Sequence, residues 1–328
     1  MLDEQIRERL QAAVIRHLGP DHRVGPMTRL TGGAASVTWR FEMQENGARR
    51  DLILRLSQGR SRISTGLDKR TEAEVIRLVV KNGVPAPTVA FVLDDEDGLG
   101  EGFAMDSIPG ESIPHRILCD ERYAGARAMM TGQCAAILSR IHASDASSIP
   151  RLSVLDAIAQ LEVYEPLYRG HGEHVPAFEL AMRWLERHLP DRSARDLVHG
   201  DFRNGNFLVT PQDGIRAVLD WELSHIGDGM EDLGFLCVNS WRFGNRDRPV
   251  GGFGQRKALF DAYEAASGRA VDPHQVRFWE IFGTLKWGIM CMHLSFEHLS
   301  GNERSVELAA IGRRVSETEI DLLQLLSD

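Results

Sequence analysis

Leu197-Val-His-Gly-Asp201-Phe-Arg-Asn-Gly-Asn206-Phe-Leu-Val-Thr210-Pro-Gln-Asp-Gly-Ile215-Arg-Ala-Val-Leu-Asp220-Trp-Glu222 is the stretch that decides the fold. Phe207–Thr210 and Ile215–Leu219 read as two short strands joined by the turn Pro211–Gly214. Pairing Thr210 with Ile215 predicts Asn206 opposite Leu219, beside Asp220. An amide oxygen and a carboxylate then stand together at the open end of the hairpin. Both are hard oxygen ligands of the kind Mg²⁺ accepts alongside substrate phosphates. Asp201 precedes Asn206 by five residues. Protein kinases place a loop carboxylate, a metal-binding Asn and a later metal-binding Asp in this order and at this first spacing. That chemistry needs a positioned hydroxyl, an acceptor for its proton and cations against phosphate charge. Asp, Asn and Gly also make ordinary turns. The His-Gly-Asp start, the spacing and the intervening hairpin together exceed turn chemistry.

Upstream, Ile6, Leu10, Ala13, Val14 and Leu18 predict an amphipathic helix over residues 3–18. Strands are expected at Met27–Thr31, Val37–Met43 and Leu52–Leu56, around Gly32-Gly33 and the turn Asn46-Gly47. A helix over Thr71–Lys81 and strands at Val89–Leu93 and Gly102–Asp106 complete a mostly antiparallel sheet with one inserted helix. Ile108-Pro109-Gly110 reads as a hinge. Beyond it, helices are expected over residues 121–142, 153–169, 176–189, 228–242, 254–267, 273–297 and 303–326. The pattern predicts an α+β fold of two lobes, residues 1–107 and 108–328, with a ligand cleft between them.

The His-Gly-Asp-x-x-x-x-Asn motif followed by Asp-Trp-Glu resembles the aminoglycoside phosphotransferase and choline kinase family, which has a protein-kinase-like fold. Leu30–Trp39, Gly83–Pro87, Met105–Gly110 and Gly227–Gly234 are similar to further family segments, so the resemblance spans nearly the whole chain. Asp220–Gly244 and Phe282–Gly288 resemble the branch whose kinase-like domain is also found fused to acyl-CoA dehydrogenases. The resemblance implies an ATP-dependent kinase, with GTP as the alternative nucleotide, acting on a small-molecule hydroxyl. It makes Asp201 the base or hydroxyl-orienting residue. Asn206 and Asp220 would hold Mg²⁺, with Glu222 supporting a second metal or the loop. Gly32, Gly33 and Ser36 would lie over the phosphates, and backbone at Met105, Asp106 and Ser107 would meet the adenine. Where the family often has Lys on the third strand, this chain has Arg55. Arg also binds phosphate, but as a fork rather than a point charge. Glu72, rather than Glu74, is its expected helix partner, and a solvated strand end is the competing reading for Arg55. The branch implies a hydroxy acid or hydroxyacyl-CoA acceptor. An aminoglycoside, or a catalytically silent nucleotide-binding protein of the same fold, is the alternative.

Composition narrows the classes. The 328 residues carry 43% apolar and 26% charged side chains, ordinary for a soluble globular protein. A formal charge of −9 argues against a general nucleic-acid binder. The most apolar long run, Phe282–Phe296, is interrupted by Lys286 and His293, so no membrane span is expected. Four scattered cysteines and a charged N-terminus read as a reduced, cytoplasmic chain. No GxSxG elbow or HExxH helix supports a hydrolase. His199 reads as a brace for its loop, bonded to Asp232. His171 and His174 read as a solvated loop, and Trp279 and Trp287 as core, with an acceptor-pocket wall as the other possibility. Gly229 replaces a Pro common in the family, a change expected to loosen its turn.

Overall fold

The structure is a computed structural model that describes residues 3–30, 36–45, 47–57, 66–190 and 195–327. Gly32 and Gly33 lie outside the described residues, as does the side chain of Ser36. The chain opens with α1 (Asp3–Leu18), then β1 (His22–Leu30), β2 (Ser36–Glu45), β3 (Ala48–Ser57), α2 (Lys69–Lys81), β4 (Val89–Val92) and β5 (Gly102–Asp106). The five strands form one antiparallel sheet in the order β1-β2-β3-β5-β4. Strand alternation sorts the residues of β3 onto two faces. Leu52, Leu54 and Leu56 pack with Ile6, Leu10 and Val14 of α1. Ile53 packs on the opposite core, which holds Val75, Ile76 and Val79 of α2. Arg55 shares that second face and therefore points toward α2.

The remaining elements are mainly helical: α3 (Pro114–Cys119), α4 (Ala124–His142), α5 (Ala157–Arg169) and α6 (Pro176–Arg187). Four short strands follow: β6 (Asp196–Val198), β7 (Phe207–Thr210), β8 (Gly214–Val218) and β9 (His225–Gly227). Then come α7 (Met230–Cys237), α8 (Arg256–Ser267), α9 (Pro273–Leu299), α10 (Val306–Gly312) and α11 (Val315–Ser327). Phe278, Trp279, Ile281, Phe282 and Leu285 of α9 are all buried, and α5, α6, α7, α10 and α11 pack around that helix. A small antiparallel-sheet lobe thus precedes a larger, mainly helical one. Among the described residues no helix is long and apolar enough to cross a membrane.

The structure corrects several sequence expectations. Thr210 pairs with Gly214 rather than Ile215, because Gly214 adopts φ +71° and closes the turn one residue earlier. A bulge at exposed Arg216 then restores the expected alignment of Phe207 with Val218. The helix expected over 228–242 ends at Cys237, where Val238 turns to ψ 134°. The helix expected over 303–326 is two helices, broken at Arg313 and Arg314. The short helix α3 and the strand β9 were not expected, since six and three residues carry too little periodicity to read.

Among the described residues, three backbone contacts bind the β7–β8 hairpin region to the sheet lobe and its linker. The Val218 amide donates to the Pro85 carbonyl at 2.8 Å, and the Leu67 amide donates to the Glu222 carbonyl at 2.8 Å. Glu111 and Val209 exchange both amide–carbonyl bonds at 2.9 Å. Gly110 permits the last of these: a Cβ there would lie 3.0 Å from Leu208 Cβ and 3.1 Å from the Val209 amide nitrogen. Gly110→Val should therefore force linker and hairpin apart. The expected loss is about 1–3 kcal/mol, read as a lower urea midpoint with an unchanged slope.

Candidate active site

The loop from His199 to Asn206 is held by buried polar groups. Asp232, fully buried near the start of α7, accepts the His199 amide at 2.8 Å and the Gly200 amide at 3.0 Å. It also pairs with His142 Nε2 at 3.2 Å. Burial alone would raise the Asp232 carboxyl. The hydrogen bond and charge of His142, with the amides, outweigh it and hold the group below the usual carboxylate range. Gly200 has φ +79°, and a Cβ there would come within 2.4 Å of the Leu223 carbonyl oxygen, so only glycine fits. Lys286 Nζ donates to the Gly200 carbonyl at 2.9 Å from the other side.

His199 braces the loop by a different route from the one expected. Its backbone amide, not its ring, reaches Asp232. Its Nδ1 accepts the Asp201 amide at 3.2 Å, which leaves Nε2–H to donate to the Leu219 carbonyl at 3.0 Å. Burial keeps this imidazole below its ordinary pKa despite nearby carboxylates, in accord with a neutral ring. The ring also lies 4.5 Å from that of Trp221, whose indole is buried. One imidazole thus ties Asp201 to the residue preceding Asp220.

The expected site residues fall into two linked groups. Asn206 Nδ2 donates to the Asp201 Oδ2 at 2.7 Å and to the Asp201 carbonyl at 2.9 Å. The two acceptors fix which end of the amide is nitrogen, so Asn206 Oδ1 faces away from Asp201. The Leu219 amide donates to the Asn206 carbonyl at 2.8 Å, which sets Asp220 beside Asn206. Asp220 itself has φ +68°, a conformation that Asp tolerates better than most residues. An amide oxygen and a carboxylate at one strand end suit a hard divalent cation.

In the second group, Arg55 Nη2 donates to Asp220 Oδ1 at 2.8 Å, and Arg55 Nη1 lies 3.0 Å from Glu72 Oε1. Glu72 is fully buried, whereas Glu74 is half-buried and faces elsewhere. Glu222 Oε2 lies 4.0 Å from Arg55 and 3.5 Å from Lys69 Nζ. Burial would raise Asp220, but Arg55 outweighs it and keeps that carboxyl low. Burial and the Asp220 charge push Glu222 up to about 7.

Met105 lies within the sheet, paired with Ile53 and Val89. The amides of Asp106 and Ser107 are already bonded to the Thr88 and Asp51 carbonyls at 3.0 Å. The Asp106 carboxylate is paired with Arg50 at 2.6 Å. Any contact of this edge with a base therefore uses groups other than these two amides. Gly229 does not loosen its turn. A Cβ there would lie 2.6 Å from His142 Nδ1, and its amide donates to Asp196 Oδ2 at 3.2 Å, a bond proline could not make.

Three basic residues were not read as site residues from sequence. Lys69 opens α2 and donates to Glu72 Oε2 at 2.6 Å. Its signal was a cation three residues before the expected helix acid. Arg203 Nε donates to Asp201 Oδ1 at 2.9 Å, and its guanidinium lies 4.4 Å over the Trp241 ring. Lys286 was visible only as a charge inside an apolar helix. It is buried, and although burial opposes its charge, Tyr164, Glu231 and Asp201 more than offset this and raise its pKa. Trp287 lies 5.0 Å from Trp241, and the Arg314 guanidinium lies 5.8 Å over the Trp287 ring. Next to these rings is a cavity of about 260 Å³, lined in part by Ser240, Phe243, Arg246, Arg314, Ile320 and Asp321. His171 is not solvated as expected; its ring lies 5.4 Å from His293 and 4.9 Å from Phe296.

The model of the phosphotransferase enzyme family matches residues 26–272, three-quarters of the chain. The chain belongs to that family. Its fold is similar to that of a Ralstonia eutropha protein described as an aminoglycoside phosphotransferase, at TM-score 0.75 and 20% identity over 97% of both chains. It is also similar to choline kinase from Cryptosporidium parvum, at TM-score 0.64 and 13% identity over 98% of this chain and 95% of that one. Identities this low speak to the fold alone, which is that of the kinase-like phosphotransferases. In sequence, the chain is 29% identical over 230 residues to acyl-CoA dehydrogenase family member 10 of Mus musculus. That match covers 66% of this chain and 21% of the mouse protein, so the chain spans about a fifth of that relative. Members of the family use ATP with a divalent metal, generally Mg²⁺.

Asp232 takes an N–H on each oxygen and a third from His142, so an Asn at this position would present its own N–H₂ to at least one donor. Asp232→Asn should lose about 3 kcal/mol at neutral pH by thermal or urea unfolding. The folded carboxyl lies below its unfolded value. Its contribution is thus present above the unfolded pKa and is lost as pH falls through the folded one. Wild type should lose stability below the ordinary carboxylate range, and the variant should show a shallower acid dependence there.

Proposed function

We propose that this protein is an ATP-dependent small-molecule kinase that transfers the γ-phosphoryl group to an acceptor hydroxyl, and that the acceptor is a hydroxy acid or its CoA thioester. The nucleotide-binding lobe is residues 1–107 and the acceptor-binding lobe residues 108–328. One observation carries the reading: the Asp201 carboxylate is hydrogen-bonded to Asn206 at 2.7 Å, on a strand end where Asp220 meets the Arg55–Glu72 pair. Family membership supports small-molecule phosphotransfer in general.

Each residue then has a task. Asn206 Oδ1 and the Asp220 carboxylate would hold Mg²⁺, with Glu222 behind them. Bound there, Mg²⁺ supplies charge neutralisation at the β- and γ-phosphates. Arg55 binds the α/β-phosphates through its guanidinium fork. Asp201 orients the acceptor hydroxyl and takes its proton as the oxygen–phosphorus bond forms. The bond from the γ-phosphorus to the bridging oxygen breaks, and ADP leaves with that electron pair. Arg203 and Asn206 hold the Asp201 carboxylate in one rotamer, so little reorganisation is needed at the moment of transfer.

The acceptor reading draws on two supports. The curated relative carries an acyl-CoA dehydrogenase family name. The cavity of about 260 Å³ combines apolar walls, Phe243 and Ile320, with the guanidinium groups of Arg246 and Arg314 and the carboxylates of Glu317 and Asp321. Arg314 is paired with Glu317 at 3.1 Å, whereas Arg246 has no ion-pair partner among the described residues and is the cation there open to an acceptor carboxylate, beside walls that suit an acyl chain.

Turnover should be followed as ADP release from Mg-ATP with hydroxy acids, hydroxyacyl-CoAs, aminoglycosides and choline. Acceptor-stimulated turnover with the first two classes is expected. Asp201→Asn should cut kcat by roughly 10²–10⁴-fold while Mg-ADP still binds. Near-normal turnover in that variant would remove Asp201 from its role, and nucleotide binding with no turnover on any acceptor would favour a silent binding protein. Arg246→Glu should raise the acceptor KM about tenfold and leave the ATP KM unchanged, a loss of about 1.4 kcal/mol in acceptor binding.

A further inference from the structure

Among the described residues, two cations, Arg55 and Lys69, serve three carboxylates, Glu72, Asp220 and Glu222, at the nucleotide side of the cleft. Glu72 is fully buried, and its hydrogen bond comes from Lys69 Nζ at 2.6 Å on Oε2. Arg55 Nη1 approaches the other oxygen to 3.0 Å, yet Glu72 Oε1 has no hydrogen-bond partner among the described residues, so that contact is an ion pair out of alignment. The aligned bond of Arg55 goes instead to Asp220 Oδ1 at 2.8 Å. Lys69 is itself 5% exposed and lies 3.5 Å from Glu222 Oε2, while the Leu67 amide holds the Glu222 carbonyl at 2.8 Å.

Lys69 is the first residue of α2, where the helix dipole disfavours a cation. A buried lysine in a locally unfavourable place calls for a compensating task. The position of Arg55 supplies one. In the proposed reaction Arg55 holds phosphates and Asp220 holds metal, so their mutual ion pair must open when nucleotide enters. If Arg55 were the sole partner of Glu72, its departure would strand a buried carboxylate at high cost.

We propose that Lys69 is a positioning residue that keeps Glu72 neutralised and tied to Glu222, freeing Arg55 to exchange Asp220 for the nucleotide phosphates. This inference rests on the kinase reading above.

The test is Mg-ADP binding to the full chain by calorimetry, in wild type, Lys69→Met, Lys69→Arg, Glu72→Gln and the double variant Lys69→Met/Glu72→Gln. Lys69→Met should weaken Mg-ADP about tenfold, or about 1.4 kcal/mol. Lys69→Arg should recover most of that loss. The double variant should bind no worse than Glu72→Gln alone, since the stranded charge is gone. Unchanged affinity in Lys69→Met, no recovery in Lys69→Arg, or additive losses in the double variant would each overturn the role of Lys69. Should Lys69→Met fail to fold, Lys69→Gln takes its place and the cycle with Glu72→Gln decides in the same way. A wild-type chain that binds no Mg-ADP would overturn the kinase reading itself, whereas wild-type binding matched by Lys69→Met overturns only the inference about Lys69.

Discussion

A single buried carboxylate carries much of this architecture. Asp232 collects the amides of His199 and Gly200 and the imidazole of His142, three donors from two separate elements. Unpaired, each of those groups would be costly in so dry a place. Paired, they fix the peptide planes that lead into Asp201. Lys286 completes the arrangement by taking up the Gly200 carbonyl. The backbone leading into Asp201 is therefore set by charges that make no hydrogen bond to its carboxylate, while Arg203 and Asn206 orient the carboxylate itself.

The loop in turn passes order along the chain. His199 links the Asp201 amide to the Leu219 carbonyl, and Asn206 links the Asp201 carboxylate to the start of β7. The hairpin is tied to the sheet lobe through Pro85, Leu67 and Glu111. The helical lobe, the loop and the sheet lobe thus meet in one small region, which holds Asp201, Asn206, Asp220, Glu222 and Arg55. Arg55 carries charge across from the sheet lobe, as Lys69 does toward Glu222: it rises from β3, passes Glu72 and ends on Asp220.

An arginine at that strand position acts differently from a lysine. A guanidinium can touch two carboxylates at once, whereas an ammonium acts as a point charge. With Arg55 extended to Asp220, the helix acid needs another cation, and Lys69 occupies that place. The sequence alone displays Arg55, Glu72 and Lys69 without relating them. Burial creates the relation, because only a carboxylate removed from water must be paired at all times.

What the sequence by itself determined is the part of the molecule governed by local chemistry. Strand alternation, helix periodicity and turn residues laid out the antiparallel sheet and the run of helices. The spacing of Asp201, Asn206 and Asp220 displayed the order of functional groups, since a hairpin converts short spacing directly into proximity. Tertiary structure decided the remainder. The bulge at Arg216, the break of α7 at Val238 and the split between α10 and α11 depend on packing that no local pattern reports. The bond of His199 to Leu219, 20 positions on, and the reach of Lys286 to Gly200 and of Lys69 to Glu222, 86 and 153 positions away, depend on the closed fold. Those pairings exist because buried polar groups must find partners, and which partners they find is fixed only when the chain has closed around them.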